Sequence, residues 1–246
     1  MNSVTLDKAS ERILQAAREK QAGTDGCLWP APYNEDTVES ALAFAYQCRT
    51  WDPTDTGLCH IPDLPHLRAF AQAWFRVKSE GGTLIVEKCR RMVVSWMARA
   101  LELHQFGLSR KSWVLSGETF GPACKHVWRY EHLYLDLKKQ FPQWKLPAHH
   151  ALHFEGPESL KQFGLANGSV CVAMNGQGSN IQGEGLSGVT MEEASLYPYL
   201  QEMLGQARIV TQGKPGMRNG FVTLIANPEP NYAWQVVKSG GKDFVV

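Results

Sequence analysis

One stretch limits the folds open to this chain more than any other: Gly82-Thr-Leu-Ile-Val-Glu-Lys-Cys-Arg-Arg-Met-Val-Val-Ser-Trp-Met-Ala-Arg-Ala100. Thr83 to Val86 is a short apolar run rich in β-branched residues, the pattern of a strand buried on both faces. Ser95 to His104 predicts a helix with Trp96, Met97, Ala100 and Leu101 on one face. Between the two lie Lys88, Arg90 and Arg91. A helix start leaves N–H groups unpaired, and here they point into the space the cations share, which favours an anion such as phosphate. Taken alone, the stretch reads equally well as a solvated basic turn.

The strand-then-helix pattern repeats down the chain. Trp113 to Leu115 predicts a second strand, with Ser116 or Thr119 placed to cap a helix over 122–140. Pro142 to Pro147 breaks that helix. Short strands are expected at 151–154, 160–163 and 169–173, the last two joined by an Asn167-Gly168 hairpin turn. Asn175 to Gly185 is a glycine-rich polar loop. Leu186 to Met191 predicts an apolar strand, Tyr197 to Val210 a helix and Gly220 to Ala226 a further buried strand. Such alternation predicts an α/β fold with a mostly parallel central sheet flanked by helices. Ahead of it, helices are expected over 6–20, 37–47 and 65–78, the last opened by Pro65, with 23–34 and 51–64 as connectors.

Composition narrows function rather than fold. The 246 residues are 43% hydrophobic and 20% charged with a net charge of +1. That balance gives no whole-chain electrostatic case for nucleic acid or a membrane surface, so any DNA contact needs a local patch. Cys27, Cys48, Cys59, Cys89, Cys124 and Cys171 form no CxxC pair. This suits free thiols in a reducing cytoplasm better than a disulfide framework. Cys59-His60 lacks a second pair at zinc-ligand spacing. The N-terminus is polar, with no signal peptide and no apolar run able to span a bilayer.

Two further strand ends carry chemistry. The strand ending at Met191 runs directly into Glu192-Glu193, and the strand ending at Ala226 meets Asn227-Pro228. In a nucleotide-hydrolysing site a first carboxylate holds the Mg²⁺ shell and a second orients the attacking water. A carboxylate pair after a strand is otherwise solvated surface. Ligands of open parallel sheets bind at the carboxyl ends of strands, so the basic loop, the acid pair and Asn227 can converge on one crevice.

Measured against the phosphate loop G-x-x-x-x-G-K-[ST], Ser95 supplies the closing hydroxyl. Lys88 stands where the first glycine belongs, and Val93 and Val94 stand for the second glycine and the lysine. The cation has moved to the front of the loop. The constellation resembles the ATPase domain of the large terminase subunit of tailed phages and prophages, over residues 65–231. It is carried by Lys88-Cys-Arg-Arg-Met-Val-Val-Ser-Trp96, Asn167-Gly-Ser169, Gln182-Gly183, Gly188-Val-Thr-Met-Glu-Glu-Ala194 and Leu224-Ile-Ala-Asn-Pro228. Lys88, Arg90, Ser95 and Trp96 fit the family's deviant loop K-x-R-x-x-G-x-S-W.

The resemblance implies a P-loop NTPase of the ASCE type with an N-terminal helical subregion over 1–64, an ATPase core over 65–232 and the start of a linker over 233–246. It implies a nucleotide loop of Lys88, Cys89, Arg90, Arg91, Met92, Val93, Val94, Ser95 and Trp96, with Lys88 and Arg90 on the phosphates of ATP. Ser95 and Glu192 would serve Mg²⁺, Glu193 would be the catalytic base, and Asn227 would couple hydrolysis to DNA movement. The implied partners are double-stranded DNA, a portal protein and a small terminase subunit, with a homo-oligomeric ring on the procapsid, in the host cytoplasm and away from membranes. The family's second half, an RNase H-like nuclease, has no counterpart in the sequence, so the expectation is a motor half that hydrolyses nucleotide without cutting DNA.

The sequence departs from the family at four places. Val93 replaces a usual glycine and Glu192 a usual Asp. Pro65-His66-Leu67-Arg68 stands where an adenine-contacting Gln is expected, leaving Gln72 as a substitute or a plain surface residue. Gln182 stands nearest the usual arginine finger, leaving Arg129 or Arg208. Two other readings stay open: a helicase-like ATPase, disfavoured because no second motor domain follows, and a degenerate, non-hydrolysing P-loop fold that docks DNA or a portal.

Overall fold

The computed structural model describes residues 26–52, 57–89, 93–176, 185–212, 220–228, 234–235 and 244–245. The helix expected over 6–20 lies outside them. The first described helix is α1 (Val38–Ala45), whose start is fixed by Thr37: its side chain accepts from the backbone N–H of Ser40 at 3.1 Å. Strands β1 (Arg49–Asp52) and β2 (Gly57–His60) follow, then α2 (Pro65–Glu80) with Pro65 in its first turn. The chain continues through β3 (Gly82–Glu87), α3 (Val94–Leu108), β4 (Ser112–Gly117) and α4 (Phe120–Gln140). Three short strands come next: β5 (His150–His153), β6 (Leu160–Gly164) and β7 (Val170–Asn175). β8 (Gly188–Glu192), α5 (Leu200–Thr211), β9 (Phe221–Ala226) and β10 (Phe244–Val245) complete the described elements.

Eight strands form one sheet in the order β10-β3-β9-β8-β4-β7-β6-β5. From β10 to β7 every pairing is parallel, while β7–β6 and β6–β5 are antiparallel. The α/β fold with a mostly parallel sheet is therefore as expected. β3, β4, β8 and β9 are buried along most of their length, because helices cover both faces.

Alternation along each strand decides which residue meets which helix layer. Leu84, Val86, Trp113, Leu115, Phe221 and Ile225 join the cluster of α1, α2, α3 and α4. Ile85, Val114, Val189, Met191, Val222 and Leu224 join that of α5. On β8 the residues between Val189 and Met191, and after Met191, are Thr190 and Glu192, which turn to the α3 side and are fully buried. A strand whose apolar residues all face one layer thus delivers its two polar ones beneath the other.

Several expectations are corrected. Residues 51–64 are not all loop: β1 and β2 pair antiparallel, Arg49 opposite His60, as a separate two-stranded sheet. Gly57, inside the expected connector, is the first residue of β2. Arg49 holds this sheet to α4 through Asp136, at 3.0 and 2.5 Å. Thr119 takes the position ahead of α4 but makes no side-chain cap, and Ser116 bonds the Tyr197 hydroxyl at 2.9 Å. The helix expected from Tyr197 starts only at Leu200, because Pro198 disfavours the helical region for Tyr197. β10, drawn from a tail with little pattern, adds an edge strand parallel to β3, with Phe244 opposite Ile85.

Candidate functional site

The strand order sets the three chemical strand ends side by side. β9 lies between β3 and β8, and the register makes their carboxyl ends flush: Glu87 pairs with Ala226 and Glu192 with Ile225. The residues just beyond, Lys88, Asn227 and Glu193, therefore stand at one end of the sheet. The backbone N–H of Lys88 donates to the carbonyl of Ala226 at 2.8 Å, and its Nζ donates to Asn227 Oδ1 at 3.4 Å. Further along the chain that leaves β9, Trp234 is fully buried and its indole donates to Glu87 Oε1 at 2.9 Å.

Of the loop, Cys89 is exposed and Arg90, Arg91 and Met92 lie outside the described residues. Val93 precedes α3 in the left-handed region, φ 61° and ψ 3°. Its carbonyl accepts from the N–H groups of Trp96 and Met97, both at 3.0 Å, so the strained residue is the one that starts the helix. Glu193 is also left-handed, φ 54° and ψ 38°. Left-handed conformations cost a non-glycine residue free energy and cluster at functional sites. Val94, the first residue of α3, is buried.

Ser95 Oγ donates to Glu192 Oε2 at 3.0 Å, joining the helix start to the end of β8. Arg99, one turn after Ser95 and fully buried, brings Nη1 to 3.4 Å from the other oxygen, Glu192 Oε1. Behind it Glu102 pairs by charge with Arg99 Nε at 2.6 Å and accepts hydrogen bonds from Arg99 Nη2 at 3.0 Å, Thr190 Oγ1 at 2.6 Å and the Tyr130 hydroxyl. Burial works against the Arg99 charge, but Glu102, Tyr130 and Glu192 outweigh it and hold the guanidinium above its ordinary range. From α4, His126 Nδ1 stands 3.9 Å from Glu192 Oε1. Burial, then Arg129, Arg99 and Lys88, push that imidazole well below its usual value, so it is neutral at pH 7. Arg129, the next α4 residue on that face, lies over the Trp96 ring at 5.0 Å. Its nearest acids are Glu192 and Glu193, which oppose the downward pull of burial.

No protein-family model matches the sequence, and no curated protein matches it. Among solved structures, the bacteriophage HK97 large terminase superposes with a TM-score of 0.55 at 14% identity, over 85% of this chain and 43% of that one. Over that span the fold is that of the HK97 large terminase. The ATPase domain of the Thermus phage P74-26 large terminase is also similar, at 15% identity and a TM-score of 0.45, over 69% of this chain and 66% of that one. So is the large terminase of a thermophilic bacteriophage in complex with ADP, at 13% identity and a TM-score of 0.40, over 67% and 39%. The present chain spans less than half the length of the HK97 protein.

Within the terminase fold, the structure brings Lys88, Ser95, Glu192, Glu193 and Asn227 to one end of the sheet. Arg99, Glu102 and His126 were not foreseen. The helical spacing of Ser95 and Arg99 is the one signal that could have found the first of them. Of the two arginines offered as fingers, Arg129 feels the charges of Glu192 and Glu193. Arg208 is exposed and its Nε donates to Thr83 Oγ1 at 3.0 Å, at the end of β3 away from Lys88. Gln72 is exposed on α2, and Gln182 lies outside the described residues. Cys59 and His60 are exposed on β2. No cluster of three His, Cys, Asp or Glu side chains able to hold a metal occurs among the described residues. A hydroxyl and a carboxylate 3.0 Å apart still fit Mg²⁺, a hard cation that takes one or two protein oxygens and completes its shell with phosphate and water.

Proposed function

We propose that this chain is a Mg²⁺-dependent ATPase, the motor part of a terminase large subunit that drives double-stranded DNA into a procapsid. One observation carries the reading: a lysine, a serine, two glutamates and an asparagine from four elements gather at the flush ends of adjacent strands, with Ser95 Oγ 3.0 Å from Glu192 Oε2. Lys88 and Arg90 bind the phosphates of ATP. Ser95 and Glu192 hold Mg²⁺, whose role when bound is to neutralise charge on the phosphate oxygens. Glu193 accepts a proton from the attacking water and orients it. Asn227, in contact with Lys88, couples hydrolysis to movement of the DNA. The core extends over 65–232, with a smaller subregion before it and with Trp234 and β10 packed onto it from the chain beyond. The working assembly is a ring on a portal, served by a small subunit, in the host cytoplasm.

Steady-state ATPase assays and labelled-ATP titrations of the parent chain and Glu193→Gln test this. The expected result is unchanged ATP affinity with turnover lost. Equal turnover in the two proteins removes Glu193 from its role. Binding without turnover in the parent itself favours the docking-module reading, for which the strained Val93 in place of a loop glycine is the supporting observation.

A further inference from the structure

We propose that Arg99 is a positioning residue for Glu192: it holds one carboxylate oxygen so that the other fixes the Ser95 hydroxyl towards a divalent cation. The inference rests on the nucleotide reading above and names a residue that reading leaves unused. Ser95 and Arg99 stand one turn apart on α3 and therefore share a face. Between them they hold both oxygens of one buried carboxylate, Ser95 Oγ by a hydrogen bond at 3.0 Å to Oε2 and Arg99 Nη1 by charge at 3.4 Å from Oε1, two buried atoms that have no other hydrogen-bond partner. An arginine present only to neutralise Glu102 needs no more than the two nitrogens, Nε and Nη2, that it already gives to that residue. The third nitrogen reaches Glu192.

The contacts form a directed chain. Thr190 and Tyr130 fix Glu102, Glu102 fixes Arg99, Arg99 fixes Glu192, and Glu192 accepts the Ser95 proton, leaving the lone pairs of that hydroxyl for a cation. Thr190 and Glu192 lie two residues apart on β8, so strand and helix are tied at both ends of the chain of contacts. A glutamate has one more rotatable bond than the aspartate of the resembling motif. An arm of that length keeps its carboxylate in place only if something beyond Ser95 holds it. Groups behind first ligands set their orientation, and their loss lowers metal affinity by about 10–100-fold.

The test is a titration of the full chain with labelled ATP, once in excess Mg²⁺ and once in EDTA, alongside thermal melts. Arg99→Gln is expected to leave the EDTA affinity within about twofold of the parent, while the Mg²⁺-dependent gain in affinity falls by about tenfold or more. In a Glu192→Asp background, whose carboxylate is withdrawn from Arg99, adding Arg99→Gln is expected to change that gain no further. A purely structural role lowers the melting temperature in both backgrounds and leaves the gain intact, which overturns the proposal. Should Arg99→Gln fail to fold, Arg99→Gln with Glu102→Gln removes the buried charges in balance and carries the same expectation and the same refutation. A parent chain that gains nothing from Mg²⁺ overturns the nucleotide reading and this inference with it.

Discussion

Val93 offers the sharpest test of the loop geometry, because its backbone reverses the usual order of glycine and alanine. In the interior of a helix, with ordinary angles, alanine is favoured over glycine by about 0.5–1 kcal/mol. Val93 has φ 61°, a region open to glycine and costly to a residue with a Cβ by about 1–2 kcal/mol. Two helix N–H groups, of Trp96 and Met97, hold its carbonyl at 3.0 Å, so a substituted residue is kept in the same conformation. Val93→Ala and Val93→Gly both lose the packing of the half-buried isopropyl group, and the difference between them isolates the backbone. Subtracting the flexibility of unfolded glycine from the relief of strain leaves, at mid-range, about 0.75 kcal/mol in favour of Val93→Gly. At about 2–4 °C per kcal/mol for a chain of this size, Val93→Gly melts about 1–4 °C above Val93→Ala. Thermal melts followed by circular dichroism decide it. Val93→Ala melting at or above Val93→Gly refutes the left-handed start of α3.

Lys88→Ala removes a charge-assisted phosphate contact of about 1.5–3 kcal/mol, so labelled-ATP titration shows affinity reduced by roughly ten- to a hundredfold; normal affinity takes Lys88 off the phosphates. Gly188→Ala sets a Cβ 2.2 Å from the ring of Trp113, which is buried and held through Nε1 by Thr190 at 3.1 Å. The overpacking costs about 1–3 kcal/mol, and a urea denaturation midpoint equal to the parent's contradicts the packing described.

The strands at the centre were legible because burial on both faces leaves unbroken apolar runs, as in Gly220 to Ala226 and Leu186 to Met191. Their neighbours were not. Nothing in the sequence inserts β9 between β3 and β8, since parallel pairing is set by long crossovers rather than by adjacent turns. The β1–β2 pair was missed because Pro53 and Gly57 read as loop signals and the two strands beside them are only four residues each. At the site, Ser95, Glu192 and Asn227 stood out because each lies at the end of a patterned segment. Arg99 and Glu102 were missed for the opposite reason: charged residues inside a helix are surface by default, and only a partner distant in sequence, such as Glu192 or Thr190, keeps them inside. The strain at Val93 and Glu193 is equally silent, because the sequence names the residue and not its φ.

The indole of Trp234 on Glu87 has a mechanical consequence. Lys88 and Glu87 are consecutive, and each is fastened to the chain that leaves β9: Lys88 to Asn227, and Glu87 to Trp234. One such fastening, added to the backbone bond of Lys88 N–H to the Ala226 carbonyl, leaves the side chain of its neighbour untied. Two, on side chains that diverge from neighbouring positions of the backbone, are a bracket that resists rotation as well as translation. The root of the basic loop is therefore coupled to Asn227 and to Trp234 at once, and a displacement imposed on either is felt at the loop.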